Sequence, residues 1–402
     1  MGHLKRQKIE EDDLAGFKYF KKLSRLLERL HDAGCARDRA GNRQLFMDQY
    51  LALLLLFMFN PICQSLRGLQ QASTLQKVQR VLGVPRASLG SLAEAATVFD
   101  ADLLKELIGQ LADELQLLPH DARLDQVREV LTLVDGTCLT ALPQVVRWAL
   151  YQPDQRAAKA HVQFEVLKGV PVAADLTAAN VAETAVLKAR LQAGRCYVID
   201  RGYAEYALFQ AMLDAGSSFV GRLRDNAVLD VLEERPVTPE AARAGVLRDT
   251  VGRLGTKHCR DDLQVPVRVV EVACTPHRKS SGKTGRGGPE QGDRLRLVTN
   301  LLDLPPEVIG AIYRSRWQIE IFFRTFKHVL GCRHLLSYSD NGLALQTYAA
   351  ILACLLIALW TGRKPTLRTY EMLRFYFSGW ATLEEVEAHI ARLREQPNSA
   401  TA

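Results

Sequence analysis

The sequence has little that would point to a secreted, disulfide-bonded or membrane-spanning protein. Its eight cysteines are scattered and include no C-x-x-C pair, so we expect reduced core thiols of a cytosolic protein. The N-terminus is charged and lacks the apolar core of a signal peptide. The apolar runs 51–59 and 348–360 are too short to cross a bilayer, which favours buried helices. The sequence therefore predicts a cytoplasmic protein that makes no membrane contact.

Two common ligand-binding motifs are also missing. Gly282-Lys283-Thr284 resembles the end of a P-loop, but His277 occupies the position of the first glycine that this motif requires. A second cluster of residues invites comparison with zinc sites: His258, Cys259, Cys274 and His277. Its spacing fits no common structural zinc motif, so chance proximity is the better explanation. Neither a P-loop nor a common zinc site is therefore predicted.

Size and composition are those of an ordinary soluble globular protein. The chain has 402 residues, 48% of them hydrophobic and 24% charged, which is enough for two or three domains and a large core. Its net charge of +7 weakly favours an acidic partner such as nucleic acid. The local clustering is more informative, since residues 313–334 contain five Arg or Lys and one acid.

The segment 313–327, YRSRWQIEIFFRTFK, carries the most specific pattern. Tyr313, Arg316, Glu320 and Lys327 fall within an arc of about 60° on a single helix. Apolar residues gather on a neighbouring arc and predict a buried face. An amphipathic helix with a solvated polar edge would explain the spacing alone. A carboxylate between two cations also suits a site that holds a metal and binds phosphates.

The spacing Tyr-x2-Arg-x3-Glu-x6-Lys resembles the signature of bacterial insertion-sequence transposases of the IS-four family. The upstream motif TNL at 299–301 is similar too. In that family the glutamate is the third acidic residue of a DDE triad. The resemblance therefore implies that Glu320 has two aspartate partners upstream, each at the end of a strand.

Two aspartates match that expectation. Asp135 lies in the motif VDGT and Asp200 in DRGY, which are similar to the first and second motifs of the family. A strand-end aspartate alone is most often a turn or cap residue. Two of them in family order with Glu320 give a stronger signal. The resemblance implies that Asp135, Asp200 and Glu320 are the catalytic and metal-binding residues.

The chemistry implied by the resemblance is metal-dependent phosphoryl transfer. Three converging carboxylates repel one another unless cations lie between them, and Mg²⁺ is the expected ion, with Mn²⁺ as a substitute. Water would free a 3′-hydroxyl at the element end, and that hydroxyl would attack target DNA. Tyr313, Arg316, Arg324 and Lys327 are the expected DNA-binding residues. The alternatives are surface solvation for Arg316 and Lys327, and a core ring for Tyr313.

The pattern downstream of residue 128 predicts an α/β fold with an RNase H-like catalytic core. It reads as three strands, a helix, a strand, a helix and a strand. The predicted elements are strands at 129–134, 161–167, 170–176, 195–199 and 218–222, with helices at 180–191 and 203–213. The first strand would end at Asp135, with a return strand at 138–142. Asn180 and Glu183 form a capping-box pattern, and His161 reads as a hydrogen-bonded sheet histidine.

These patterns divide the chain into five expected parts: an all-helical N-terminal DNA-binding domain (1–125), the first part of the core (126–224), a β-rich insertion (225–293), the second part of the core (294–362) and a partly ordered C-terminal tail (363–402). Residues 75–82, the turn 83–85 and a helix from Ser88 outline a helix-turn-helix, although two ordinary packed helices explain them about equally well. The insertion includes a flexible basic loop at 280–292.

The leading functional hypothesis is a transposase that acts on double-stranded DNA at terminal inverted repeats and at the target. Pairing of two element ends would make a DNA-bound homodimer. An RNase H-like nuclease or resolvase would cut without joining. A domesticated copy would only bind DNA, although all three acidic residues are present. The sequence does not distinguish whether excision passes through a DNA hairpin.

Overall fold

The computed structural model describes residues 27–395 except 35, 39–40, 42, 140–146, 153–154, 256–261, 274–293 and 332–334. The predicted basic loop 280–292 lies outside these described residues, and so do the four His and Cys residues considered for zinc. The charged N-terminal segment also lies outside them.

The N-terminal part is helical where it is described. Residues 27–33 lie in helical turns, and five helices follow: α1 (Met47–Phe59), α2 (Leu66–Ser73), α3 (Gln76–Leu82), α4 (Leu89–Val98) and α5 (Leu103–Asp113). α1 is almost entirely buried and ends before Asn60 and Pro61, as its composition predicts. α3 stops at Gly83, which has a left-handed φ of 64°. Ser88 caps α4 by accepting a hydrogen bond from the Ser91 amide at 3.0 Å.

A nine-stranded mixed sheet forms the centre of the molecule. The described part of the chain has eleven strands in all: β1 (Val130–Leu139), β2 (Leu150–Gln152), β3 (Gln155–Arg156), β4 (Ala158–Glu165), β5 (Val170–Ala178), β6 (Arg195–Ile199), β7 (Ser218–Arg222), β8 (Leu229–Arg235), β9 (Val246–Leu254), β10 (Val267–Ala273) and β11 (Arg294–Thr299). The sheet order is β5-β4-β1-β6-β7-β11-β10-β9-β8, and β2 pairs with β3 as a separate ribbon.

The first half of the sheet has the predicted order of elements. β4 pairs antiparallel with both β1 and β5, and β6 and β7 continue from β1 in parallel. α6 (Glu183–Lys188) connects β5 to β6, and α7 (Tyr206–Asp214) connects β6 to β7. Gly169, with φ 68°, allows the tight turn of the β4–β5 hairpin. Three strands, a helix, a strand, a helix and a strand are therefore confirmed in that sequence.

β1 differs from its prediction, because it does not end at Asp135 and it includes Cys138 and Leu139, which were expected to begin a return strand. Its antiparallel pairing with β4 continues to Leu139, opposite Ala158. Its parallel pairing with β6 ends earlier, at Leu133 opposite Val198. The strand therefore runs on through Asp135, supported by β4 on one side only.

α6 is shorter than predicted, and the expected capping box is wrong. The helix begins after Ala182, which has no side-chain capping bond, so Asn180 is not the cap. The Glu183 carboxylate instead pairs with Lys159 Nζ on β4 at 2.7 Å. The Glu183 side chain therefore forms a long-range ion pair and does not cap the helix.

The described part of 225–293 is β-rich, as predicted, and extends the central sheet. It supplies β8, β9, β10 and the short helix α8 (Pro239–Arg243). β10 pairs with β11, which in turn pairs with β7 of the first half. This region is therefore continuous with the sheet that carries β1 and β6.

The C-terminal third is helical: α9 (Pro306–Arg314), α10 (Trp317–Leu330), α11 (Asp340–Thr361), α12 (Leu367–Phe377) and α13 (Leu383–Glu395). α11 has 22 residues and is long and apolar enough to cross a membrane, but 89% of its most apolar window is buried inside the protein. It is a core helix. In the predicted C-terminal tail (363–402), the described residues form α12 and α13, and Tyr370 on α12 donates a hydrogen bond to Met58 O at 2.6 Å.

One hydrophobic cluster joins the N-terminal helices, one face of the sheet and the C-terminal helices; it includes Leu54, Phe164 and Ala349. A second cluster lies around β6, β7 and α7. The Asn341 side chain at the start of α11 donates to Ala96 O at 2.8 Å, and so links α11 to α4. The N-terminal helices are therefore built onto the same core as the sheet.

Candidate active site

Asp135 and Asp200 are brought to one edge of the central sheet by the parallel strands β1 and β6. The last parallel pair joins Leu133 to Val198, so Asp135 lies two residues beyond it. Asp200 directly follows the end of β6 at Ile199. The carboxyl ends of parallel strands meet at the same edge of a sheet. β1 and β6 are therefore direct neighbours in the sheet.

The single helix predicted for the segment 313–327 is two helices in the structure. α9 and α10 meet at Ser315 and Arg316, where the main-chain bond from Arg316 N to Tyr313 O is of the tighter i to i+3 type. The Ser315 hydroxyl donates to Ile312 O at 2.6 Å, a back-bond that distorts helices. The predicted polar stripe is therefore carried by two helices joined by a tight turn.

Tyr313 connects α9 to the edge of the sheet. Its buried hydroxyl donates a hydrogen bond to Asp200 Oδ1 at 3.1 Å. Burial and the Asp200 charge raise the pKa of Tyr313, so the hydroxyl stays protonated. Burial alone would raise the pKa of Asp200, but the Arg316 charge and the hydrogen bonds from the Arg201 amide and Tyr313 hold it below its usual value. Asp200 is therefore ionised at neutral pH.

Arg316 lies among the three carboxylates of the predicted triad. Its Nη2 donates to Glu320 Oε1 at 2.5 Å, and its positive charge also lowers the pKa of Asp200 and opposes the rise in that of Asp135. The Arg316 side chain is 15% exposed, so solvent screens these interactions only partly. Asp135, Asp200 and Glu320 therefore all lie close to the positive charge of Arg316.

Asp135 is the most perturbed member of the three. Burial raises its pKa to about 6, while the Gly136 amide, which donates to Oδ1 at 2.8 Å, and Arg316 act in the opposite direction. The charges of Glu183 and Glu320 raise the pKa further. A carboxylate in this setting gains from any additional cation nearby.

The oxygen donors at this edge are the kind that hard divalent cations prefer. Within the described part of the chain, however, no three or more His, Cys, Asp or Glu side chains are already arranged to hold a metal ion. The Arg316 guanidinium takes up part of the negative charge instead, through its bond to Glu320. Metal binding at Asp135, Asp200 and Glu320 therefore requires a local side-chain rearrangement.

Arg324 and Lys327 follow on the exposed side of α10. Lys327 lies two helical turns beyond Glu320, about 10 Å along the helix axis. Both side chains face solvent next to the acidic edge, where a DNA backbone could reach them. Their predicted role in binding phosphates stays a prediction.

A pocket of about 580 Å³ opens beside Asp200. Its lining residues come from the end of β6 and the loop after β7: Asp200, Arg201, Gly202, Arg224, Asp225 and Asn226. Two guanidinium groups next to the Asp200 carboxylate are suited to binding phosphate. Sequence reasoning did not single out Arg201 or Arg224 as functional.

The sequence also did not indicate that three further side chains, those of Lys159, Glu183 and Tyr203, lie near Asp135. The Lys159–Glu183 pair lies against Gly136, and buried Tyr203 is close enough to Glu183, Asp135 and Asp200 for their charges to add to the effect of burial in raising its pKa. The one signal in the sequence is Gly136 itself, because a strand glycine often marks a close approach of other atoms.

His161 has the structural role that was predicted. Its Nε2 is 2.8 Å from Thr177 Oγ1 on the neighbouring strand β5. Burial lowers its pKa, so the imidazole is neutral near pH 7. It is a hydrogen-bonded sheet histidine.

A buried ion pair fixes the loop that leads into α9. Arg268 Nη2 donates to Asp249 Oδ2 at 2.6 Å, and its Nη1 donates to main-chain carbonyls of residues 301, 302 and 304. Both side chains are 3% exposed. The sheet extension thus supports the segment that carries Tyr313 towards Asp200.

We expect Arg268→Met to lower the free energy of unfolding by about 3–5 kcal/mol, because it leaves the Asp249 charge buried without its partner. The double variant Arg268→Met/Asp249→Leu should recover a large part of the loss. Urea unfolding followed by circular dichroism measures both. Arg248→Met, which removes an exposed ion pair between β9 and Glu234 on β8, is the control and should leave the midpoint unchanged.

Comparison with known proteins agrees with this geometry. The model of the family described as Transposase DDE domain matches residues 127–356, which span β1 to α11 and include all three carboxylates. A Sinorhizobium fredii protein named as a transposase, y4zB, is 30% identical over 270 residues, covering 67% of this chain and 70% of that one. A Geobacillus stearothermophilus protein named as a transposase for insertion sequence element IS5377 is 24% identical over 327 residues, covering 78% of this chain and 79% of that one.

Among solved structures, the piggyBac transposase synaptic complex with hairpin DNA aligns over 99% of this chain and 84% of that chain. The sequence identity is 11% and the TM-score 0.41, a likeness too weak to establish a shared fold. The family match and the insertion-sequence relatives are sufficient without it. The chain belongs to the DDE transposase family, whose members cleave DNA and transfer DNA strands.

Proposed function

We propose that this chain cuts DNA at the ends of its insertion sequence and joins the freed 3′-hydroxyl to target DNA by metal-dependent phosphoryl transfer. The observation that carries the proposal is the position of Asp135, Asp200 and Glu320 around Arg316, at the edge where β1 and β6 end. The strand order β5-β4-β1-β6-β7 and its directions support an RNase H-like core.

The donor set fits Mg²⁺, with Mn²⁺ as a substitute. Asp135, Asp200 and Glu320 supply only oxygen donors, from a partly buried edge where negative charge is concentrated. Bound ions there would activate the attacking oxygen and stabilise the leaving oxygen. To free its carboxylate for this role, Glu320 must release Arg316, to which it is bonded at 2.5 Å.

The remaining side chains hold Asp200, the phosphate near the scissile bond and the DNA backbone in place. Tyr313 keeps Asp200 oriented through its hydrogen bond and needs no change of protonation to do so. Arg316, once released by Glu320, is placed to bind a phosphate near the scissile bond. Arg324 and Lys327 on α10 contact the DNA backbone. No protein nucleophile is required, because water and then a DNA hydroxyl attack phosphorus.

Other parts of the chain would bind the DNA away from the cut. Arg201 and Arg224 line the pocket beside Asp200 and hold backbone phosphates. The α3–turn–α4 segment in the N-terminal helical part (1–125) recognises the terminal inverted repeats. A homodimer pairs the two ends, and the protein acts in the cytoplasm. The Tyr-Arg-Glu-Lys residues favour placement in the IS-four family.

A strand-transfer assay tests the proposal. Pre-cleaved element ends with a free 3′-hydroxyl are incubated with the protein, Mg²⁺ and a target plasmid, and we expect joined products. Cleavage of uncut ends without joining would identify a nuclease or resolvase. Binding without either reaction would identify a DNA-binding copy. Glu320→Ala is the negative control for both steps.

A further inference from the structure

An ion pair packs against the backbone of Gly136, the residue after Asp135. Lys159 Nζ lies 2.7 Å from Glu183 Oε1. A Cβ atom placed on Gly136 would come within 2.9 Å of that same oxygen and within 3.0 Å of Lys159 Cδ. Room for a larger residue at position 136 would require the end of the Glu183 side chain to move away.

The same peptide orients the Asp135 carboxylate. The Gly136 amide donates to Asp135 Oδ1 at 2.8 Å. Main-chain pairing here comes only from β4, because β6 has already ended. Packing of Lys159 and Glu183 on Gly136 therefore restricts the strand at the point where sheet pairing is one-sided.

Glu183 also lies near Tyr203, which follows the second aspartate. Tyr203 follows Asp200 in a short turn and is 2% exposed, with Glu183, Asp135 and Asp200 close enough to act on its hydroxyl. Its ring packs in the hydrophobic cluster that includes Val134 and Ile199, on the strands that carry the two aspartates. Glu183 thus lies between Lys159 on β4 and the turn that positions Asp200.

We propose that Glu183 and Lys159 are positioning residues of the reaction, which hold Asp135 in the orientation that binds the metal. The inference rests on the proposed metal-dependent cleavage. Neither residue needs to touch DNA or metal for this role. Residues that orient metal ligands typically change metal affinity or activity by about 10- to 100-fold when mutated. An ordinary partly exposed ion pair would contribute little to either.

The test compares Glu183→Gln with Glu165→Gln. Glu165 lies on the same strand as Lys159, at its other end, and pairs with Lys168 at 3.6 Å. For each variant, element-end cleavage is measured against Mg²⁺ concentration. The rise in melting temperature on adding Mn²⁺ to chelator-treated protein gives a second readout that needs no activity. End binding in chelator is measured as well.

For Glu183→Gln we expect half-maximal cleavage to need about tenfold more Mg²⁺ and the Mn²⁺-induced rise in melting temperature to shrink. The melting temperature in chelator and end binding should match those of Glu165→Gln. If the Mg²⁺ midpoints of the two variants are the same in protein whose wild type is Mg²⁺-dependent, the positioning role is wrong. A wild type without Mg²⁺-dependent cleavage would instead overturn the proposed function.

Lys159→Met and the double variant Lys159→Met/Glu183→Gln keep the inference testable if Glu183→Gln folds poorly. The double variant has neutral groups of similar size on Gly136, so we expect a Mg²⁺ midpoint closer to the wild type than that of Lys159→Met. A double variant no better than Lys159→Met would contradict the pairwise role. Weaker DNA binding by Lys159→Met in chelator would show that the lysine contacts DNA instead.

Discussion

Alanine at Asp135, Asp200 or Glu320 is expected to abolish cleavage and strand joining in Mg²⁺. Each substitution would remove an oxygen ligand from the proposed metal site, and a metal ion contributes several kcal/mol of transition-state stabilisation. Each rate should therefore fall by about a thousandfold or more. The losses should not add in double variants, because every variant disables the same site. Single-turnover cleavage of labelled element-end DNA measures them.

The variants should remain folded, which separates loss of chemistry from loss of structure. Asp135 is half-buried and burial raises its pKa to about 6, so Asp135→Ala removes a carboxylate that is costly to ionise. We expect its melting temperature in chelator to equal or exceed that of the wild type. A folded single variant with near-normal cleavage in Mg²⁺ would show that its residue is not a ligand.

Glu320→Ala and Lys327→Ala are expected to have opposite effects on metal-free DNA binding, although they change the same helix. Lys327→Ala removes an exposed cation, so affinity should fall and the salt slope of log affinity should decrease by about 0.9 for each phosphate that the lysine neutralises. Glu320→Ala removes negative charge and releases the Arg316 guanidinium from its 2.5 Å bond. Binding should then be unchanged or tighter, while cleavage is abolished.

Arg316→Ala should also weaken binding, and it leaves the three carboxylates without the cation they share. The measurement is a salt titration of element-end binding in chelator, run beside a cleavage assay in Mg²⁺. Arg248→Ala, on the sheet extension away from α10, is a control for the general loss of one positive charge. If folded Glu320→Ala weakens metal-free binding as much as Lys327→Ala, the separate metal-binding and phosphate-binding roles are wrong.

The elements around Asp200 could be predicted from sequence because their signals are local. An apolar strand closes at Asp200, and a helix follows, as the pattern of 195–213 indicates. The sequence placed Asp135 at the correct edge of the sheet but predicted that its strand would end there. The continuation of β1 depends on pairing with β4, more than twenty residues away, which no local pattern shows.

Long-range side-chain interactions account for most of what the sequence did not predict. Glu183 fits a local capping-box pattern, but its carboxylate forms an ion pair with Lys159 on β4. The single helix predicted for the stripe from Tyr313 to Lys327 is two helices in the structure, which meet where the Ser315 hydroxyl bonds back to Ile312 O. The Arg316–Glu320 pair follows from i,i+4 spacing, whereas its neighbours Asp135 and Asp200 come from the sheet.

Crystals of the protein with pre-cleaved element-end DNA and Mn²⁺ would test the three-carboxylate site most directly, through the anomalous signal of the metal. We expect Mn²⁺ within roughly 2.0–2.6 Å of carboxylate oxygens of Asp135, Asp200 and Glu320, with Arg316 moved from Glu320 to a DNA phosphate. Mn²⁺ bound elsewhere, or one of the three carboxylates more than roughly 10 Å from the other two, would contradict the site, since paired ions lie only about 4 Å apart.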